Sequence, residues 1–171
     1  MMSYSRNVIN RSNNERGKML EKLIDQACTY YMQKGIAMIE KTPEPFNVKK
    51  KNKDSFIGYF TKKAQPDFKG ALAGGRAVVF EAKSTSAKRI NQTVISENQE
   101  KCLDAYQALG AFCGVCIMVN KTVAFVEWSQ WKNMKQKYGR KYMTEQEAAE
   151  YQIPTIMYAD FLYHYFKHNE K

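Results

Sequence analysis

Apolar side chains recur every three or four residues in the first part of the chain, which is the spacing of one face of an α-helix. The positions are Met19, Leu20, Leu23, Ile24, Ala27, Tyr30 and Tyr31. Asn13 or Asn14 can cap this helix and Gly35 can end it, so the pattern predicts an amphipathic helix of about five turns. Residues 1–12, which precede it, are expected to be flexible.

Extended patterns follow this first helix. Residues 36–40 predict a strand, which runs into the prolines of Thr42-Pro43-Glu44-Pro45, where regular structure cannot continue. Residues 66–72 and 76–83 flank Gly74 and Gly75, and a Gly-Gly turn between two extended segments predicts a β-hairpin. This hairpin carries the residues on which the functional hypothesis depends.

The second half of the chain alternates helical and extended patterns again. The predicted elements are a helix from its cap Ser96 to Leu109, strands over 112–119 and 122–128, a short helix opened by a capping box at Thr144, and a last helix from Asp160 through Phe166. This order predicts an α/β fold with one mixed central sheet flanked by helices. A length of 171 residues suits one domain, which would span residues 1–171.

Residues 46–65, which we call the stalk segment, interrupt these patterns with clustered lysines and aromatic residues. The cations are Lys49, Lys50, Lys51, Lys53, Lys62 and Lys63, interleaved with Phe46, Phe56, Tyr59 and Phe60. The segment predicts a basic loop without regular secondary structure, whose lysines could neutralise phosphates and whose rings could stack on unpaired bases. The alternative is a solvated basic loop. Residues 131–141 form a second basic segment without an acidic residue.

The net charge narrows the class of partner. The chain has 27 Lys and Arg against 17 Asp and Glu, a formal charge of +10 and a pI near 9.4, which favours a polyanionic partner such as nucleic acid. Apolar residues make up 44%, so wholesale disorder is excluded. No apolar run approaches the ~20 residues of a membrane-spanning helix, and no secretory signal is evident, so a cytoplasmic location is expected.

The cysteines and histidines offer no competing metal site. Cys113 and Cys116 lie three apart in a predicted strand, so their thiols are expected on opposite faces, buried and unreactive. His164 and His168 have the spacing of a zinc-binding helix, but no third ligand lies nearby in the sequence. We interpret both histidines as surface residues.

Glu81 and Lys83 are two residues apart on the second strand of the predicted hairpin and therefore point to the same face. Asp67, on the preceding strand, is expected beside Glu81. Two adjacent carboxylates repel unless a cation lies between them, and Mg²⁺ takes such oxygen ligands in phosphoryl chemistry. The alternative is a surface ion pair on an edge strand, worth about 0 to 1 kcal/mol.

One motif resembles that of the PD-(D/E)-x-K nuclease superfamily. It consists of Pro66-Asp67, the Gly-Gly turn and Glu81-Ala82-Lys83. A wider set of motifs resembles the RecU family of Holliday-junction resolvases: Arg16-Gly17, Leu20-Glu21, Thr42-Pro43-Glu44-Pro45, Asp67-Phe68-x-Gly70, Phe80-Glu81-Ala82-Lys83 and Gln99. The chain departs from the family at Ala64-Gln65-Pro66 and at Ile95 to Gln99. These departures indicate a divergent relative, such as one encoded by a phage.

The resemblance implies a restriction-endonuclease-like fold and assigns roles to individual residues. Asp67 and Glu81 would ligate Mg²⁺, with Mn²⁺ as the alternative ion, and Glu21 would add a third carboxylate unless it is an ordinary ion-pair partner on a solvated face. Lys83 would position the attacking water or offset phosphate charge, and Gln99 would orient water or a phosphate. The implied DNA-binding residues are Arg11, Arg16, Lys49, Lys50, Lys51, Lys53, Phe56, Tyr59, Phe60, Lys62 and Lys63.

The function implied by the resemblance is a Mg²⁺-dependent homodimeric endonuclease that resolves Holliday junctions by two symmetric nicks, with the stalk segment in the junction centre. Two alternatives stay open at this point. One is a nuclease of the same fold that acts on other branched or linear DNA. The other is a non-catalytic DNA-binding or strand-annealing protein.

Overall fold

A computed structural model describes residues 2–43, 46–53, 55–60 and 65–169 of the chain. Its centre is a five-stranded sheet in the order β1-β4-β5-β7-β8. The strands are β1 (Ala37–Lys41), β4 (Phe68–Leu72), β5 (Ala77–Thr85), β7 (Phe112–Val119) and β8 (Thr122–Glu127). Strands β5 and β7 are parallel and the other neighbours are antiparallel, so the predicted mixed sheet is confirmed.

Helices and two small sheets surround this central sheet. The helices are α1 (Met2–Gln33), α2 (Glu97–Ala108), α3 (Trp128–Lys132), α4 (Met134–Tyr138), α5 (Glu145–Ala148) and α6 (Tyr163–Asn169). The small sheets pair β2 (Phe46–Asn52) with β3 (Ser55–Phe60) and β6 (Arg89–Asn91) with β9 (Tyr142–Thr144). None of the helices in the described ranges combines the length and apolar content needed to cross a bilayer.

Both faces of the central sheet are covered by a hydrophobic core. Helix α1 and the chain around Phe161 cover one face, where the ring of Phe80 stacks on Phe68 with centroids 5.0 Å apart. Helices α2 to α5 cover the other. Cys116 lies in the first core and Cys113 in the second, as their spacing in a strand predicted. Burial raises the pKa of the Cys113 thiol to about 12, which fits an unreactive side chain.

The hairpin of β4 and β5, which we call the catalytic hairpin after the roles that the sequence resemblance implies for Glu81 and Lys83, depends on glycine at two places. Gly74 and Gly75 form its turn with φ angles of 91° and 89°, a region that favours glycine, so the predicted turn is confirmed. Gly70 lies so close to β1 that an added Cβ would stand 1.9 Å from the Met38 carbonyl oxygen. Strand β1 can therefore pair closely with β4 only because residue 70 has no side chain.

Two predicted helix starts are wrong. Helix α1 begins at Met2 and not at Asn13, since no proline or glycine interrupts residues 2–14. The Asn13 side chain instead accepts a hydrogen bond from the Ser86 amide at 3.0 Å. The last helix begins at Tyr163, because the Asp160 carboxylate accepts a hydrogen bond from the Tyr31 hydroxyl at 2.5 Å. The flexibility of residues 1–12 stays a prediction.

The stalk segment contains a β-hairpin, so the prediction of a loop without secondary structure is wrong. Strands β2 and β3 pair in antiparallel register from Phe46 opposite Phe60 to Asn52 opposite Ser55, with a bulge between Val48 and Lys50. Cross-strand contacts between a lysine and a ring stabilise such a pair. Among the described side chains from Asn47 to Tyr59, none is buried, and the two strands form a sheet of their own.

Candidate active site

The register of the catalytic hairpin places Asp67 beside Glu81. Phe68 pairs with Phe80 in antiparallel register. Asp67, which immediately precedes β4, therefore lies next to Glu81, which follows Phe80. The Thr42 amide donates to the Asp67 carbonyl oxygen at 2.8 Å and holds its backbone. Asp67 Oδ2 accepts a hydrogen bond from the Ala82 amide at 2.9 Å. The carboxylate is thus fixed from two strands.

Glu81 lies in the protein interior, on the central strand of the sheet. Its exposed fraction is 0%, and Val79, two residues earlier on the same face, is also buried. Lys83 Nζ donates to Glu81 Oε2 at 2.8 Å and to Asp67 Oδ2 at 3.3 Å, so one ammonium bridges both carboxylates. The alternative of a surface ion pair on an edge strand is therefore wrong, since both faces of this sheet are core faces.

Gln99 completes the cluster from the opposite helix. Ser96 and Gln99 form a capping box at the start of α2, in which the Gln99 side chain accepts a hydrogen bond from the Ser96 amide at 3.0 Å. Its Nε2 then donates to Glu81 Oε2 at 2.5 Å. The cap fixes the amide orientation, and the amide in turn fixes the Glu81 carboxylate.

Burial and neighbouring charges set the protonation of the cluster. Burial raises the pKa of Glu81 to about 8 from an ordinary 4.5, against the opposing effect of the Lys83 charge. Burial lowers the pKa of Lys83, but the charges of Glu81 and Asp67 outweigh it, and the net pKa of Lys83 is raised. Lys83 therefore stays protonated at neutral pH and acts as a hydrogen-bond donor, not as a base.

One oxygen of Glu81 marks where a cation would bind. Glu81 Oε1 is buried and has no hydrogen-bond partner among the residues that the structure describes, a costly state for a carboxylate oxygen. The neighbouring Asp67 side chain is 33% exposed, so the pair is reached by solvent from the Asp67 side. Mg²⁺ binds through one or two carboxylates and keeps several waters. Asp67 and Glu81 fit that ligand set.

Glu21 does not join this pair. Its carboxylate accepts a hydrogen bond from Lys41 Nζ at 2.7 Å, at the end of β1. Within the described residues, no group of three His, Cys, Asp or Glu side chains is arranged to hold a metal. The structure thus brings together Asp67, Glu81, Lys83 and Gln99, and leaves Glu21 in the ion-pair role that the sequence offered as its alternative.

The chain is similar to known proteins over most of its length. The family model of recombination protein U, RecU, matches residues 15–171, which includes every residue of the cluster. The chain belongs to the RecU family. The family assignment accounts for the order of the motifs from Arg16 to Gln99 in the sequence.

Individual relatives of this RecU-family chain are moderately similar. Proteins of Bacillus pumilus and Bacillus subtilis, both named Holliday junction resolvase RecU, are 29% identical over 150 and 154 residues. Those alignments cover 81% and 84% of the chain and 72% and 74% of the relatives. A protein of the same name from Streptococcus sanguinis is 31% identical over 88 residues, which cover 48% of the chain and 42% of that relative.

A solved structure is also similar to the RecU-family chain. It is that of Hjc from Archaeoglobus fulgidus, described as a Holliday junction resolvase from an archaeal hyperthermophile. The TM-score is 0.48 at 11% sequence identity, over 79% of this chain and 93% of that one.

Six of the predicted DNA-binding residues lie on the hairpin of β2 and β3, which we call the stalk hairpin. All six are exposed: Lys49, Lys50, Lys51, Lys53, Phe56 and Tyr59. The ammonium of Lys49 lies 5.0 Å from the Tyr59 ring centroid, and that of Lys51 lies 5.6 Å from that of Phe56. Lys62 and Lys63, and the side chains of Arg11 and Phe60, lie outside the described residues.

Arg16 has a structural contact that the sequence did not predict. Its guanidinium donates to the carbonyl oxygen of Asn120, in the turn between β7 and β8, where Asn120 has a φ of 50°. This bond ties α1 to the end of the sheet near the cluster. Whether Arg16 also contacts DNA stays a prediction.

Sequence reasoning missed Lys41 and Ser96, which support the cluster. Lys41 ends β1 beside Asp67 and donates a hydrogen bond to Glu21. Its positive charge interacts with the carboxylates of Glu21 and Asp67. Ser96 was predicted as a cap, but its part in fixing Gln99 was not. The signal for Ser96 was present, because Ser96 and Gln99 have the spacing of a capping box. No comparable local signal marks Lys41.

Proposed function

We propose that this RecU-family protein is a Mg²⁺-dependent, structure-selective endonuclease that resolves four-way Holliday junctions by paired symmetric nicks. The observation that carries the proposal is the buried Glu81 beside Asp67, with an oxygen that has no partner and a lysine across both carboxylates. The two Bacillus relatives, both named Holliday junction resolvase RecU, support the junction as substrate. A non-catalytic DNA-binding protein would have no use for a buried acid of raised pKa.

Asp67 and Glu81 would hold the ion, either Mg²⁺ or Mn²⁺ in its place. When bound, such an ion lowers the pKa of a water and offsets charge on the phosphate. Lys83, which stays protonated, orients the attacking water or donates to a phosphate oxygen as negative charge develops. Gln99 holds the Glu81 carboxylate in one orientation through its bond to Oε2.

The stalk hairpin would give the enzyme its preference for branched DNA. Its lysines would neutralise phosphates, and the rings of Phe56 and Tyr59 would stack on bases that are unpaired at a junction centre. The exposure of both faces of the hairpin supports this role, because either face can meet a DNA arm. The junction has two-fold symmetry, so we also propose a homodimer that presents two clusters to two strands.

The experiment that tests this function compares cleavage of labelled four-way junction, flap and linear duplex by the purified protein. Symmetric nicks in the junction with Mg²⁺, and none in EDTA, are the expected result. Cleavage of flap or duplex at least as fast as of the junction would replace the resolvase with a general nuclease. Full cleavage in EDTA would overturn the metal-dependent reaction. Sedimentation of an active monomer at micromolar concentration would overturn the homodimer.

A further inference from the structure

The second basic segment, residues 131–141, has cations of two kinds. Lys137 Nζ donates to Glu150 at 2.7 Å and to the Tyr151 hydroxyl at 2.8 Å. Arg140 Nη2 donates to both carboxylate oxygens of Glu147, at 2.8 and 2.9 Å. These two cations hold α4 and the chain around α5 together, so they serve the fold.

The other three cations of the segment line one cavity of about 530 Å³, which we call the lysine cavity. They are Lys132, Lys135 and Lys141. Lys132 is paired with Asp104 at 2.8 Å. In the part of the chain that the structure describes, no Asp or Glu lies within ion-pair distance of Lys135 or Lys141. Both are exposed, so two positive charges are free for a ligand.

Trp131 and the start of α2 also line the lysine cavity. Trp131 is fully buried, and among the described residues no acceptor lies within hydrogen-bond distance of its indole Nε1. Ser96 and Glu97, at the start of the twelve-residue helix α2, also line it. The first amides of a helix have no acceptor within that helix, and this end favours anions.

Two carboxylates on the same wall limit where an anion can bind. Glu97 and Glu100 line the cavity, but Glu97 accepts a hydrogen bond from Lys101 at 2.6 Å, outside the cavity. An anion is therefore directed to the side formed by Lys135 and Lys141. The oxygens of a phosphodiester accept charge-assisted hydrogen bonds from lysine ammonium groups, so a phosphodiester fits this side of the cavity.

The lysine cavity adjoins the catalytic cluster. Ser96 lines the cavity and caps α2, and its capping partner Gln99 donates to Glu81. The cavity and the cluster are thus connected through one turn of α2, from Ser96 to Gln99.

We infer that the lysine cavity binds a DNA backbone phosphate flanking the scissile one, and so sets the register of the cut strand. The inference rests on the proposed nuclease function for the location of the scissile phosphate. Contacts to phosphates position a protein on DNA without reading its sequence, so this site acts on junction and duplex alike. It differs in this respect from the stalk hairpin.

The test is a binding assay in EDTA with the double variant Lys135→Ala/Lys141→Ala. Its matched control, Lys34→Ala/Lys167→Ala, removes two exposed lysines that do not line the cavity. The cavity variant should bind junction and duplex more weakly by similar factors, with the slope of log affinity against log salt reduced by about one to two. The control should lose less affinity on both substrates. Equal behaviour of the two double variants would overturn the inference.

A second arm uses DNA in which single phosphates are replaced by neutral methylphosphonates. One substitution flanking the scissile position should weaken binding by the natural protein and leave binding by the cavity variant unchanged. If every substitution weakened both proteins equally, no flanking phosphate would be held there and the inference would fail. If neither protein cut DNA while these binding differences persisted, the nuclease proposal would fail and the phosphate site would stand.

Discussion

The catalytic hairpin and the stalk hairpin are built from similar residues and behave in opposite ways. Both are antiparallel pairs that carry lysines and aromatic rings. In the catalytic hairpin the rings of Phe68 and Phe80 are fully buried, whereas Phe56 and Tyr59 of the stalk are 59% and 49% exposed. The difference comes from their neighbours, since β4 and β5 lie inside a five-stranded sheet and β2 and β3 form a two-stranded sheet.

That difference decides what a charged side chain can do in each place. In the catalytic hairpin, Glu81 has lost its water and its pKa is raised to about 8, so it gains from a metal ion or a proton. In the stalk, Lys49 and Lys51 stay hydrated and lie near rings at the surface. Burial therefore suits chemistry at a fixed point, and exposure suits contact with a large polyanion.

The largest expected effect is the loss of cleavage when the buried cluster is changed. Glu81→Gln and Asp67→Asn should each lower the rate of junction cleavage by at least about 100-fold, because each removes a proposed metal ligand while keeping its shape. DNA binding measured in EDTA should be largely retained, since phosphate contacts come from elsewhere. Single-turnover cleavage and a parallel binding assay check both expectations.

Glu21→Gln serves as the comparison for those variants. It removes a carboxylate that pairs with Lys41 outside the cluster, so it should lower the rate less than Glu81→Gln does. An equal loss would return Glu21 to the ligand set. Retained cleavage in Glu81→Gln would remove Glu81 from it.

A second prediction concerns stability. Phe80→Ala should lower the free energy of unfolding by about 3–5 kcal/mol, because it empties a fully buried site between stacked and tilted rings. Phe56→Ala, on the exposed stalk, should change it by only about 0.5 kcal/mol or less. Denaturant unfolding of the two variants measures the contrast. A large loss in Phe56→Ala would mean that the stalk packs against the domain.

A third prediction concerns pH. Between an ordinary 4.5 and about 8, the folded protein keeps a proton on Glu81 that the unfolded chain has lost, so Glu81 destabilises the fold as pH rises through this window. Glu81→Gln has no such proton. We therefore expect the melting temperature of Glu81→Gln minus that of the natural protein, both measured in EDTA, to increase as the pH is raised from 5 to 9. A difference that stays constant with pH would show that the Glu81 pKa is not raised.

A fourth prediction concerns the stalk rings. Phe56→Ala/Tyr59→Ala should weaken junction binding by about 1–3 kcal/mol for each base that loses its stacking partner, and duplex binding by less. Lys49→Ala/Lys51→Ala is the matched variant and should weaken both substrates in a salt-dependent way. If the ring variant weakened junction and duplex equally, the stalk would be a general basic surface and not a reader of branches.

Local pattern predicted much of the fold correctly. The strand at 112–119, the Gly74–Gly75 turn, the cap at Ser96 and the capping box at Thr144 are all as expected, because turn and cap chemistry involve residues a few positions apart. The stalk was wrongly predicted as a loop. Its clustered lysines do not show the alternation that predicts a strand. Strand formation there depends on the partner strand as much as on the segment itself.

The sequence by itself determined the identity and order of the chemical groups. Period two placed Glu81 and Lys83 on one face of a strand, and the short hairpin placed Asp67 next to them. The resemblance to the RecU family named Gln99 in addition. These inferences need only local geometry and motif spelling.

The tertiary structure alone decided how those groups are used. It buried Glu81 on a central strand, brought Gln99 to it from α2, and turned Glu21 towards Lys41. It also divided the basic segment into cations that hold helices and cations that line a cavity. Burial and partner choice depend on contacts between residues far apart in the chain, and such contacts form only when the elements pack.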